Sequence, residues 1–258
     1  PAAGGIEQLR AAGVEVVVGV AETEVRWSNR AWLTAIQRQR PYLTWKFAAT
    51  LDGRSAAADG SSRWITGTAA RADVHRLRAR HDAVMVGVGT VLADDPELTV
   101  RLPDSDGRDG QDEVHHPLRV VVDSSGRTPI QARIRQPQTP QSGAADTWIA
   151  TASEVGGVDG RVDLAKLLAE LFARGCRSVL LEGGPTLAGA ALEAGLVDEV
   201  IAYLAPALLG AGAPALVGAG IHTISQALRL EVRDVQLIDT DVRIVGTLAA
   251  QNHRQGQV

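Results

Sequence analysis

The sequence predicts an α/β fold: a mixed, mostly parallel sheet flanked by helices, with an antiparallel hairpin near the carboxyl end. Three observations predict it. Through the middle of the chain, short apolar runs of strand length alternate with segments of helical period, the pattern of parallel strands joined by crossover helices. Two later apolar runs, 230–237 and 242–248, flank Asp239-Thr240-Asp241 and read as antiparallel partners. The 258 residues are 45% hydrophobic yet only 3% aromatic, so the core must be assembled from Ala, Val, Leu and Ile.

Taken in order, residues 6–12 read as a short helix closed by Gly13, which suits the left-handed position after a helix end. Val14, Val16, Val17 and Val18 read as a buried strand bounded by Gly19. Residues 22–38 read as one helix, with Val25, Trp32, Ala35 and Ile36 near helical spacing. The chain opens at Pro1 inside this α/β rhythm, so part of an upstream domain is expected to be missing. The boundary falls at Arg40-Pro41, because the residue before a proline is pushed out of the helical region. After it, 42–49 read as a strand with a turn at Asp52-Gly53. Residues 66–80 read as a helix capped by Thr66 or Thr68, with Ala70, Val74 and Leu77 on one face. Strands follow at 83–88, 118–122, 178–181 and 200–204, with helices at 163–174 and 187–194. Residues 103–117 and 135–145 read as exposed loops. The first is acidic, but Arg108 occupies its fifth position, where a calcium loop needs an oxygen ligand.

Composition narrows the function. Twenty-six basic against thirty acidic residues give a net charge of −4, which argues against a nucleic-acid partner. No apolar run approaches the ~20 residues that cross a bilayer, and no basic stretch leads into an apolar one as in a signal peptide. A single cysteine, Cys176, permits no internal disulfide and no multi-cysteine zinc site, and a reducing, cytoplasmic setting is the expectation.

Several residues could carry chemistry, and their weight depends on whether they converge on one edge of the sheet. Gly183-Gly184-Pro185-Thr186 follows an apolar strand and opens a helix, where free backbone N–H groups can hold an anion. A tight strand-to-helix turn explains the same pair. Glu182 ends that strand, at the edge where open α/β sheets place ligands. Gly87-Val88-Gly89 is a second such pair, but Leu92 breaks the dinucleotide fingerprint. Lys46, one of two lysines against twenty-four arginines, lies inside an apolar strand and needs a carboxylate or ligand partner, unless it reaches water from an edge. Arg78 and Arg101 are candidates for gripping a phosphate, although spacing alone describes surface arginines equally well. His75, His81 and His115-His116 lack metal-ligand spacing, so no metal is expected, and no Gly-x-Ser-x-Gly elbow supports nucleophilic hydrolysis.

Four stretches, KFAATLDG at 46–53, SRWIT at 62–66, GVGTVLADDPELTVR at 87–101 and LEGGPTLA at 181–188, together resemble the reductase domain of the bacterial bifunctional riboflavin-biosynthesis deaminase/reductase. The resemblance implies a dihydrofolate-reductase-like fold over 41–258, which accounts for the missing fingerprint. It makes 1–40 the remnant of a deaminase domain. The His-x-Glu and Pro-Cys-x-x-Cys motifs of that zinc enzyme are absent, so no deamination is expected. It implies NADPH held along Ala48, Trp64, Thr90, Asp94, Ser124, Gly184, Pro185, Thr186, Leu187, Ala188, Gly189 and Ala190, with Ser124 and Arg127 as candidate partners for the 2′-phosphate. It implies a phosphorylated pyrimidine, 5-amino-6-(5-phosphoribosylamino)uracil, on Ser62, Arg78, Leu98, Arg101 and Glu182, with the arginines on its phosphate. Hydride transfer to C1′ of the opened ribose is the implied reaction. Lys46, Asp52 and Glu182 are the implied catalytic groups, with the proton donor left open among them, and a homodimer is the implied assembly. The rivals are a same-fold reductase of another pterin or pyrimidine and a catalytically silent nucleotide-binding regulatory domain.

Overall fold

The computed structural model describes residues 4–102, 115–137 and 147–248. Most of the two loops expected at 103–117 and 135–145 lies outside the described residues. Three helices open the described chain: α1 (Gly5–Ala11), α2 (Glu22–Ser28) and α3 (Arg30–Arg38). The sheet strands are β1 (Tyr42–Thr50), β2 (Ala83–Gly87), β3 (Leu118–Val122), β4 (Thr147–Ala150), β7 (Ser178–Glu182), β8 (Glu199–Ala205), β9 (Leu230–Ile238) and β10 (Asp241–Leu248). A separate two-stranded ribbon pairs β5 (Gly157–Val158) with β6 (Arg161–Val162). Helices α4 (Thr68–Ala79), α5 (Val88–Asp94), α6 (Ala152–Val155), α7 (Leu164–Ala173) and α8 (Pro185–Glu193) complete the fold. No helix among the described residues is long and apolar enough to cross a membrane.

The eight-stranded sheet has the order β4-β3-β2-β7-β1-β8-β10-β9. From β4 to β8 every pairing is parallel, and β10 then pairs antiparallel with both β8 and β9. The mixed sheet and its terminal hairpin are those expected. Side chains alternate between two faces because successive residues of a strand point to opposite sides. On one face Leu43, Trp45, Met85, Val120 and Leu181 meet Leu167, Leu168 and Leu171 of α7 and Ala188 and Ala191 of α8. On the other, Val84, Val86, Leu180, Ile201 and Tyr203 meet Ala70, Val74 and Leu77 of α4, with Val88 and Val91 of α5. Each such burial of a Val or Leu stabilises by ~1.5–3 kcal/mol. The central strand β7, Ser178-Val179-Leu180-Leu181-Glu182, is buried from end to end.

Four expectations are corrected. Residues 14–18 form no strand, and Val17 is 71% exposed. Among the described residues no strand lies beside this run, and an isolated extended segment has no ladder to satisfy its backbone. The helix expected over 22–38 breaks at Asn29, whose Nδ2 donates to the Val25 carbonyl at 2.9 Å and competes with the helical pattern. Neither Thr66 nor Thr68 caps α4. The cap position is Gly67, whose N–H donates to the Asp241 carboxylate at 2.7 Å, while the Thr68 hydroxyl accepts from Arg71. The strand expected over 83–88 ends at Gly87, and Val88 already opens α5.

Candidate active site

The site grows from the register of β1 on β7, which sets Lys46 opposite Glu182. Paired residues of parallel neighbours share a face, and here it is the face covered by α4. A carboxylate at the end of a fully buried strand demands a partner. Arg78, on the last turn of α4, supplies it as a fork: Nε donates to Oε1 at 2.6 Å and Nη2 to Oε2 at 2.9 Å. Nη1 donates to the Thr99 carbonyl at 3.0 Å. Three of the guanidinium's five N–H donors are thereby engaged, and the other two have no partner among the described residues.

The electrostatics follow. Burial raises the Glu182 carboxyl, but the charge and hydrogen bonds of Arg78, joined by Lys46, outweigh it and hold the group below the usual carboxylate range. Burial pushes the Lys46 ammonium down; Glu182 opposes the shift and Arg78 adds to it. The ammonium lies 5.6 Å from the centroid of the Tyr203 ring. The Tyr203 hydroxyl donates to Asp73 at 2.6 Å, and Asp73 also accepts from Arg243 at 2.8 Å. The result is an ionised carboxylate locked to an arginine beside an amine whose hold on its proton is weakened.

A second group assembles at the neighbouring strand ends. Gly183 and Gly184 have φ of 69° and 70°, in the left-handed region where glycine alone is unstrained. A Cβ on Gly183 would come within 3.3 Å of the Thr90 hydroxyl oxygen, and one on Gly184 within 3.5 Å of the same atom. Gly184 caps α8 with no side-chain hydrogen bond, and Pro185 stands in its first turn. Among the described residues no side chain caps the backbone N–H groups of Thr186 and Leu187 at this helix start, near Thr90. Further along the run the residues turn inward: Ala188 is fully buried, and a Cβ on Gly189 would stand 1.9 Å from the Val217 carbonyl oxygen. These two seat the helix, whereas Thr186 and Ala190 are exposed.

The remaining sequence-selected residues divide. Trp64 is 69% exposed under the guanidinium of Arg71 at 4.3 Å, and its neighbour Arg63 donates to the Asp94 carbonyl at 2.6 Å. Ala48 lies beside the α4-side cluster, Ser62 is partly buried, and Leu98 is buried with φ of 53°. Arg101 is exposed and donates to Glu97 at 2.7 Å. The Ser124 hydroxyl accepts from the Val162 N–H at 3.1 Å. Asp52 stands apart from the Lys46 cluster in its bonds: its carboxylate accepts from the Thr50 hydroxyl at 2.5 Å, the Gly210 N–H at 2.7 Å and the Leu209 N–H at 3.2 Å. The Thr50 bond first, then Gly210, lowers it to about 2. Sequence reasoning missed His75 as a site residue, having weighed it only as a metal ligand. Its position three residues before Arg78, on the same helix face, was the available signal.

The family model described as RibD C-terminal domain matches residues 41–244. A riboflavin biosynthesis protein RibD of Mycobacterium tuberculosis is 42% identical over 242 residues, spanning 93% of this chain and 65% of the relative. Among solved structures, a RibD of Acinetobacter baumannii superposes with a TM-score of 0.80 at 37% identity, covering 96% of this chain and 69% of that one. A diaminohydroxyphosphoribosylaminopyrimidine deaminase/5-amino-6-(5-phosphoribosylamino)uracil reductase of Thermotoga maritima gives 0.79 at 29% identity, covering 95% and 67%.

Proposed function

The chain belongs to the family of RibD C-terminal domains, and from that premise we propose that it reduces the ribose of 5-amino-6-(5-phosphoribosylamino)uracil to a ribityl chain, with NADPH as reductant. The observation that carries the reading is the buried Lys46, Glu182 and Arg78 cluster at the same strand ends as the uncapped start of α8. The Gly183-Gly184 turn fits the pyrophosphate of a dinucleotide, since added Cβ atoms would fill the space against Thr90 where its oxygens would approach the backbone. Trp64, Asp94 and Ser124, with Ala48, are assigned to the rest of the same cofactor. When bound, the nicotinamide supplies the hydride. The protein's residues orient and place charge. The two unengaged N–H donors of Arg78 and the exposed guanidinium of Arg101 receive the phosphate, with Ser62 and Leu98 along the sugar. Glu182 stays ionised and fixes both Arg78 and the approach of Lys46. Among the three candidate acids, Lys46 fits proton delivery to the opening ribose best. Asp52 is held near 2 with its oxygens occupied, and Glu182 is locked to Arg78. In this reading 1–40 is the tail of a deaminase domain, 41–258 is the reductase, and the active form is a cytoplasmic homodimer.

The test follows the loss of reduced-nicotinamide absorbance with the phosphorylated substrate and with its dephosphorylated analogue. Phosphate-dependent oxidation is expected. Lys46→Met should lower kcat ~10²–10⁴-fold, the range of a general acid. Because burial lowers the Lys46 pKa, the alkaline fall of kcat should lie below the ordinary lysine range. Cofactor binding with no turnover of either compound would favour the silent regulatory domain, and turnover blind to the phosphate another substrate.

A further inference from the structure

We propose that His75 is a positioning residue that sets the distance between the two guanidiniums facing the substrate phosphate, by tying residues 99–101 to α4. The proposal rests on the assignment of Arg78 and Arg101 to that phosphate. Arg101 sits on a segment with no strand or helix to define its path: residues 95–102 have no regular structure, and Asp95 and Leu98 take φ of 41° and 53°. What fixes the segment is side chains. The Nδ1 of His75 lies 3.0 Å from the Thr99 carbonyl oxygen and 3.2 Å from the Arg101 backbone nitrogen. Arg78 donates to the same Thr99 carbonyl at 3.0 Å. One carbonyl and one imidazole nitrogen therefore connect the helix that carries one arginine to the loop that carries the other. Glu97 steadies the loop from the far side by accepting from Arg101 and Arg133.

The imidazole does this as a neutral ring. Burial first, then the charges of Arg78 and Arg101, push it below the ordinary histidine range, against the opposing pull of Thr99 and Glu182. A neutral ring carries one N–H. With the proton on Nδ1 it donates to Thr99; with the proton on Nε2, Nδ1 accepts from the Arg101 amide. Either tautomer pins the same three residues.

The experiment measures KM, kcat and Kd for the phosphorylated substrate and Kd for its dephosphorylated analogue, on His75→Ala, His75→Asn, His75→Gln and Arg101→Ala. Asparagine places an amide where Nδ1 was, and glutamine places one near Nε2. The expected result is a rise of about tenfold in KM and Kd for the phosphorylated compound in His75→Ala and His75→Gln, equivalent to about 1.4 kcal/mol. His75→Asn should restore most of it, with kcat and the analogue's Kd unchanged in the three His75 variants. A loss shared equally by both compounds, a fall confined to kcat, or rescue by Gln instead of Asn would overturn the proposal. If Arg101→Ala leaves the preference for phosphate intact, the assignment of the phosphate site fails. If Arg101→Ala abolishes that preference while His75→Ala keeps it, only the role of His75 fails.

Discussion

The two faces of the central sheet are built from alternate residues of the same strands, yet they carry different chemistry. Beneath α7 and α8 the contacts are Leu, Val and Ala on Leu, Met and Trp. Beneath α4 the same strands present Lys46, Glu182 and Tyr203, and the helix answers with Arg78 and Asp73 among its apolar residues. The difference teaches where a buried charge can stand. A carboxylate at a buried strand end needs a cation brought to it by a covering helix, as α4 brings Arg78 to Glu182, and α7 and α8 bring none to their face. The Lys46, Glu182 and Arg78 cluster is thus as much a property of α4 as of β1 and β7.

Breaking the charged face should have the largest effect. Glu182→Gln leaves the Arg78 guanidinium buried without its counter-charge, and should cost about 3–5 kcal/mol in urea unfolding together with most turnover. Leu171→Ala on the dry face should cost a comparable ~2–5 kcal/mol through a cavity while kcat is retained, provided the assay is run below the melting temperature. If both variants lose turnover in proportion to stability, the two faces do not differ in function. Smaller is Gly183→Ala, which forces a side chain into the left-handed region for roughly 1–2 kcal/mol and crowds Thr90. It should raise KM for NADPH more than KM for the pyrimidine, and an equal rise in both would remove the turn from the dinucleotide site. Smallest is Asp52→Asn. The Asp52 carboxyl lies at about 2 against an ordinary 3.8, so the stability it brings is complete above 3.8 and disappears as the pH falls through 2. The gap in urea midpoint between the native chain and this variant should narrow across that window, and a gap constant with pH would contradict the assignment.

Much of this was legible in the sequence, and unevenly. The short continuous apolar runs of β1, β2, β7 and β8 announce their buried strands because both faces meet a core, and Lys46 stands out as a charge in such a run. The left-handed Gly183-Gly184 turn was readable from residue type alone. The fork of Arg78 on Glu182 was not, since the partners are 104 residues apart and nothing local distinguishes Arg78 from its helical neighbours Arg71 and Arg76. The Val14–Val18 run misled because β-branched residues record a preference for extended backbone, whereas a strand exists only beside another. The four-residue edge strand β4 was too short for periodicity to declare it.

The hairpin reversal at β10 carries a consequence for the order of assembly. Asp241, at the turn, receives the Gly67 N–H across 174 residues, and Arg243 reaches Asp73 across 170. The helix bearing Arg78 and His75 is therefore tied down by a segment that leaves the ribosome long after it. Contacts of such sequence separation are the slow ones to close. During synthesis the strands of the parallel sheet can associate first, and the helix that carries Arg78 gains its final anchoring only when β10 docks.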